Sequence, residues 1–411
     1  MNTPKARKRI DLANFTFRQM MEMEACTRCG DCIDACPTFT EVLSEDIHPL
    51  QKIAKTKSLW KADHLGVVAR LFGIRPATEE ELAAYSRGVY QCTLCARCHV
   101  VCPVQIDTRP LWLSMREQLV DWGLYPETFD VLKERVTTQH NISGEDNAQR
   151  MVWTENMERR PEGLDGRVGA ETVYFAGCVG SMYPRVYGIP QSFIQILEAS
   201  GENVTTLGSG EWCCGFPLQI AGMGREVAAL ARHNVEAVRA IGARRLVTTC
   251  PSCQHTWRDE YPHLLGEPLG FEVLHSTELI AALIDEGKIH LHEFAQPVTY
   301  HDPCDLGRTC GVYDAPRRII QAIPGIQFTE MADHREMSLC CGGGGDAEMA
   351  DPELTAAVGK RRIEQAEATG AKIVLSACQQ CSRTLAEAAR KNRIRLRVMD
   401  LAELVWQSMQ G

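Results

Sequence analysis

The chain has 411 residues, enough for two or three domains with cores of their own. Hydrophobic residues make up 45% and charged residues 24%, an ordinary balance for a globular protein. Its 44 basic and 53 acidic side chains leave a formal charge of −9, which excludes a general nucleic-acid binder, and no run of eighteen apolar residues offers a membrane span.

The chain opens MNTPKARKRI, with basic residues but no apolar stretch behind them, so it does not read as a secretory signal. The basic group at 5–9 reads as a solvated tail, with contact to an anionic membrane face as the alternative. Nineteen cysteines, an odd number, fit a reducing compartment where thiols serve as metal ligands.

Two runs, CTRCGDCIDACP at 26–37 and CTLCARCHVVCP at 92–103, share the spacing C-x2-C-x2-C-x3-C-P. That is the two-cluster ferredoxin pattern, in which the fourth cysteine of each run ligates the other cluster. Cys26, Cys29, Cys32 and Cys102 are therefore assigned to one cubane [4Fe–4S] cluster, and Cys92, Cys95, Cys98 and Cys36 to the other. Pro37 and Pro103 turn the chain away. A zinc ribbon would need only four ligands. The intervening stretch, about 38–91, reads as helical, with EEELAAYSRGVY at 79–90 leading into the second run, and MEMEAC at 21–26 reads as a packing helix end. Full cysteine ligation suits this domain to single-electron wiring.

The remaining cysteines fall in two matching quintets. Cys178, Cys213, Cys214, Cys250 and Cys253 form the first; Cys304, Cys340, Cys341, Cys378 and Cys381 form the second, with Cys310 left over. The offset between copies is 126 from Cys178 to Cys304 and 128 from Cys250 to Cys378, so the unit is duplicated. Other pairs repeat in step: VYGIP with VYDAP, GARRLVTTC with GAKIVLSAC. Each copy reads as α/β. TVYFAGC and PVTYHDPC predict a first strand, NVTTL and IQFTEM a second, and the β-rich runs in GARRLVTTC and GAKIVLSAC a third that ends at the C-x2-C. GREVAALARHNVEAVRAI and DPELTAAVGKRRIEQAEAT predict helices closed by Gly242 and Gly370. The cysteines then lie at strand ends, where ligands collect in open α/β layers.

A fifth thiolate has no place on a single cube. Two thiolates on adjacent residues can reach neighbouring irons or bridge them, and Gly215 and Gly342 remove a Cβ from the metal's path. The quintets point to metal clusters of a different kind, with zinc as the alternative.

On these motifs, together with EWCCG, ARHNVEA, TYHDPCDLGR and AIPGI, the chain resembles the D-type subunits of heterodisulfide reductases over nearly its whole length. The resemblance implies that each quintet binds a noncubane [4Fe–4S] cluster and that a disulfide is cleaved between them, each cluster taking one sulfur. It also implies a separate b-type cytochrome or quinone-reactive partner, and hence a cytoplasmic protein held at the inner membrane face through that partner. Related iron–sulfur subunits of glycolate, lactate and glycerol-3-phosphate dehydrogenases resemble it too. They support the alternative of a non-catalytic relay from a flavin subunit to quinone, but their CCG motifs are often incomplete, and both are complete here. The second C-x2-C reads CQQC, without the proline of CPSC.

The expected architecture is a mainly α-helical two-cubane domain over 1–150, a polar linker over 151–170, and α/β CCG units over 171–296 and 297–411. Among other residues, His255 and His301 are placed to donate a proton or tune a cluster, with a structural role as the simpler reading. Cys310 is an inert buried thiol or a reactive one near the second cluster. Arg185 and Arg308 read as surface ion-pairing groups, with an anionic substrate as the alternative. The glycines at 342–345 lack the Lys-Ser/Thr of a phosphate loop and suit close approach of backbone to a cluster or substrate.

Overall fold

A computed structural model describes residues 9–65, 68, 71–157 and 159–411. Of the basic group at 5–9, only Arg9 lies among them.

The N-terminal region is helical. Its longer helices are α1 (Phe17–Ala25), α2 (Pro49–His64), α3 (Glu79–Tyr90), α4 (Thr108–Asp121) and α5 (Thr128–Thr138). α3 begins where it is expected, because Thr78 and Glu81 form a reciprocal capping box. Each ferredoxin run makes a short helix, Asp31–Asp34 or Arg97–Val100, entered through a left-handed residue, Gly30 or Ala96. The two short helices pack against each other. α4 is the hub of this region, with Leu111, Met115 and Leu119 fully buried.

Each CCG unit is a four-stranded parallel sheet. In the first, β1 (Thr172–Phe175), β2 (Val204–Thr206), β3 (Arg245–Thr248) and β4 (Glu272–His275) lie in the order β2-β1-β3-β4. Val173 is in register with Leu246, and Leu246 with Val273. In the second, β5 (Pro297–Tyr300), β6 (Gln327–Phe328), β7 (Ile373–Ser376) and β8 (Arg397–Asp400) repeat the order as β6-β5-β7-β8. Helices cover both faces, so strands such as TVYF are buried at every position. The β4 and β8 strands were not among the sequence expectations.

The helices are α6 (Gly188–Ala199), α7 (Val227–Ile241) and α8 (Ser276–Asp285) in the first unit. Those of the second are α9 (Asp314–Ala322), α10 (Pro352–Glu367), α11 (Gln379–Lys391) and α12 (Leu401–Gln410). Gly242 caps α7 in the left-handed conformation, whereas α10 ends at Glu367, three residues before Gly370.

The units exchange contacts reciprocally. The closing helix α12 packs on α6 of the other unit, and its counterpart α8 packs on α9. Together they bury one shared core containing Phe193, Ile194, Ile280, Ile319 and Val405. This is a local two-fold arrangement, and it sets the cysteine-bearing ends of the two sheets face to face. In the stretch expected as a linker, Trp153 is fully buried and meets Tyr174 edge-on, at 6.4 Å between ring centres.

Candidate functional site

All nineteen cysteines are free thiols. In the first unit the chain leaves β1 through Gly177, at φ +73°, into the short helix that carries Cys178. A Cβ at Gly177 would lie 3.1 Å from the Cys253 sulfur. Cys213 and Cys214 follow β2, and Cys250 and Cys253 follow β3. The Cys214 and Cys253 sulfurs are 3.5 Å apart. In the second unit Cys304, Cys340, Cys341, Cys378 and Cys381 occupy the matching positions.

The doublet's glycine is required by its backbone. Gly342 sits at φ +94°, and a Cβ there would come 2.5 Å from the Thr355 carbonyl oxygen. The Gly342 N–H donates to Cys340 Sγ at 3.3 Å, Gly215 N–H to Cys213 Sγ at 3.4 Å, and Cys381 N–H to Cys378 Sγ at 3.4 Å.

One cavity of about 390 Å³ lies between the units. All five cysteines of the first quintet and four of the second, Cys304, Cys341, Cys378 and Cys381, line it. Cys340 is buried beside Cys304 and Cys341. Cys378 feels the charge of Cys250 from the opposite unit. Within each doublet the second thiol is the acidic one. Hydrogen bonds from Cys213 and Cys253 bring Cys214 down to about 6, and those from Cys340 and Cys381 do the same for Cys341. Five convergent thiols per unit, amide donors on sulfur and glycine openings fit an iron–sulfur group better than a lone zinc, which takes four ligands.

The surroundings of the quintets differ. Arg150, absent from the sequence candidates, donates to Cys178 Sγ at 3.1 Å and to Glu211 at 2.6 Å. Glu211 also accepts from the Ala176 and Gly177 amides at 3.0 and 2.9 Å. The first quintet therefore has a neutralised cation beside it. Arg308, expected at the surface, instead lies between Cys95 and Cys304, donating to the carbonyls of Cys95 at 2.5 Å and Ser338 at 2.8 Å. Among the described residues no carboxylate pairs with it. His301 is fully buried; its Nδ1 accepts from Arg362 Nε at 2.9 Å. Its Nε2 has no hydrogen-bond partner, and the His301, Cys341 and Cys381 donor atoms lie within 4.8 Å of one another. That geometry supports the tuning role over the purely structural one.

The other tempting residues lie elsewhere. His255 is held between Asp259 at 2.9 Å and Glu260 at 3.1 Å. Burial disfavours its cation, but the two carboxylates outweigh burial and raise its pKa. Cys310 is near His255, with its sulfur 3.8 Å from the Pro251 carbonyl and burial pushing its thiol up to about 12. Arg185 pairs with Glu387 at 2.8 Å on the surface. Gly343 and Gly344 line the cavity, and Gly344 and Gly345 press against Thr93 and Cys92 of the second ferredoxin run.

In the helical region Cys36, Cys92, Cys95 and Cys98 are buried, and Cys98 feels the other three. Cys26, Cys29 and Cys32 group together, with Cys29 exposed and Cys102 on the same small cavity. Burial and its two neighbours push Cys32 up to about 11. Lys52, fully buried, has its Nζ 5.4 Å from the Trp112 ring centre, with no hydrogen bond among the described residues, and lies near Cys36. Cys95 also packs in the core of the second quintet, so the inner ferredoxin site adjoins the second CCG unit.

Comparison with known proteins follows the same division. A 4Fe-4S dicluster domain matches residues 22–106, and a cysteine-rich CCG domain matches 172–258 and again 298–386. The D-type subunit of the dihydromethanophenazine:CoB–CoM heterodisulfide reductase of Methanosarcina mazei is 35% identical over 409 residues, covering 97% of each chain. The chain belongs to the family of heterodisulfide reductase D-type subunits. An EtfAB:quinone oxidoreductase of Syntrophomonas wolfei is 27% identical across 97% of this chain and 60% of its own length. A hypothetical protein from Helicobacter pylori shares the fold, with a TM-score of 0.56 and 10% identity over 97% of this chain and 74% of its own. Membership of this oxidoreductase family makes the chain an iron–sulfur subunit. No helix among its described residues is long and apolar enough to cross a membrane.

Proposed function

We propose that this chain is the disulfide-cleaving subunit of a heterodisulfide-reductase-like complex, with a noncubane [4Fe–4S] cluster on each quintet and two cubanes relaying electrons. The observation that carries this reading is the single cavity walled by thiols of both units. Two electrons are needed to cleave an S–S bond, and iron–sulfur centres, when bound, supply them one at a time. The protein's share is to hold two thiol sets at a fixed separation and to keep Cys214 and Cys341 thiolate-prone. The proposed ligands are Cys26, Cys29, Cys32 and Cys102 for the outer cubane and Cys92, Cys95, Cys98 and Cys36 for the inner one.

The exposed edge at Cys29 suits electron exchange with a partner, for which a membrane cytochrome b or quinone-reactive subunit is the proposal. The kinship with a quinone oxidoreductase supports a quinone-linked chain. A pure relay has no need for two complete quintets to face one another across one cavity.

The test uses anaerobically purified protein with iron and acid-labile sulfide assayed. Thiols are added to the oxidised form and EPR spectra recorded. A thiol-dependent paramagnetic signal, broadened when the thiol carries a magnetic sulfur isotope, is expected. Zinc in place of iron, or spectra indifferent to every thiol tried, refutes the assignment.

A further inference from the structure

Reductive cleavage of a disulfide consumes protons as well as electrons: R–S–S–R′ + 2e⁻ + 2H⁺ gives RSH and R′SH. Among the described residues, three carboxyl groups line the cavity: Asp305, Asp346 and Glu348. Asp305 is ion-paired to Arg109 at 2.5 Å and accepts from Ser252 at 2.5 Å, which holds it ionised. Glu348 is ion-paired to Arg383. Among the described residues, Asp346 has neither kind of partner. Its Oδ2 is wholly buried and makes no hydrogen bond. No histidine or lysine among the described residues lines the cavity.

The backbone places Asp346 there. It follows the glycine run in the left-handed conformation, φ +53°, and opens the short helix Ala347–Ala350. The charged and titratable groups around it are few. Arg116 of α4 favours its anion, but its two terminal nitrogens donate to the carbonyls of Val89, Cys92, Ile220 and Gly345, and none of its described hydrogen bonds reaches Asp346. Tyr90 of α3 also faces it, with a hydroxyl that burial keeps protonated. Glu348 and Arg383 neutralise one another. Burial outweighs Arg116 and lifts the Asp346 carboxyl to about 7, where an acid both holds and releases a proton.

We propose that Asp346 is the proton donor to a thiolate released in this cavity, and the acceptor when the reaction runs backwards. In reduction its O–H bond breaks as an S–H bond forms. The two electrons come from the external reductant through the iron–sulfur centres, the second proton comes from solvent, and the carboxylate is reprotonated through the cavity mouth. The proposal rests on the disulfide-cleaving reading above.

The test takes the full chain with its iron–sulfur groups loaded, as wild type, Asp346→Asn and Asp346→Glu. Bis(2-hydroxyethyl) disulfide is the probe and reduced methyl viologen the electron source. The expected result for D346N is a rate lowered roughly 10²-fold, with loss of the inflection near neutral pH. D346E should keep an inflection and part of the rate. Iron content and EPR spectra should be unchanged in both. Infrared difference spectra of wild type should show a protonated-carboxyl band titrating near neutrality that D346N lacks. A D346N enzyme with the wild-type rate and pH profile overturns the donor while leaving the disulfide reading intact. A loaded wild type that does not turn over the probe refutes that reading, and the donor falls with it.

Discussion

Replacing Arg116 by Met should loosen the whole molecule. The side chain is fully buried at the meeting point of the three units. It donates to the carbonyls of Val89 at 3.2 Å and Cys92 at 2.7 Å in the helical domain, Ile220 at 2.6 Å in the first CCG unit, and Gly345 at 2.8 Å in the second. Its guanidinium also lies 5.0 Å from the Tyr90 ring centre. Met keeps the apolar stem but strands four buried acceptors, at about 1–3 kcal/mol each. Relief of the guanidinium's own desolvation offsets part of that, leaving a net loss of about 3–5 kcal/mol. Every 1.4 kcal/mol is tenfold, so the open population at the domain junction should rise roughly 10²- to 4 × 10³-fold. Native-state proteolysis or amide exchange around Cys92 and Gly345 measures it. Arg116→Lys, with three donors, should recover part of the loss. A second readout follows from charge: without this cation the Asp346 carboxyl should titrate higher, moving the disulfide-reduction profile to higher pH. Wild-type exchange rates in R116M would refute the clamp, and an unmoved pH profile would refute the coupling.

Arg308→Met should lower the potential of the second CCG centre relative to the first, because Arg308's charge near Cys304 and Cys340 has no carboxylate partner while Arg150's is met by Glu211. One charge at an effective dielectric near 20 is worth on the order of 1–3 kcal/mol, or roughly 40–130 mV for one electron; an EPR-monitored redox titration with unchanged separation would count against it. His275, fully buried and capping α8, is held far below its usual pKa, at about 3, because burial disfavours the imidazolium. Its contribution is complete above about pH 6.5 and is lost as pH falls from there towards 3, at up to about 1.4 kcal/mol per pH unit. His275→Asn should flatten that part of the denaturant-midpoint profile, and an unchanged slope would exclude His275 as its source.

The parts of the site legible in the sequence are those whose spacing is chemical. Eight cysteines in double ferredoxin order and two quintets 126–128 residues apart require no knowledge of neighbours, and the structure brings all of the first quintet and every member of the second but Cys340 to one cavity. β1, β3, β5 and β7 were legible because each apolar run leads directly into a cysteine. β4 and β8 were not, since FEVLH and LRVMD carry no ligand and run straight into α8 and α12. Arg150, Lys52, Arg116 and Asp346 escaped for another reason. A lone charged residue looks like surface until its tertiary neighbours are known; Arg150 meets Cys178 and Glu211 only because the stretch around Trp153 is locked into the core. The glycine run is a place of close approach, as its composition suggests, though what presses on it is ferredoxin backbone as much as open cavity.

The helix exchange between the CCG units has a mechanical consequence. With α12 seated on α6 and α8 on α9, prising the halves apart would tear open the apolar core they hold in common. The gap between the facing sulfurs therefore behaves as a rigid gauge, not a jaw. On the disulfide-cleaving proposal, a substrate would have to fit that clearance as it stands, and turnover would proceed without the halves parting.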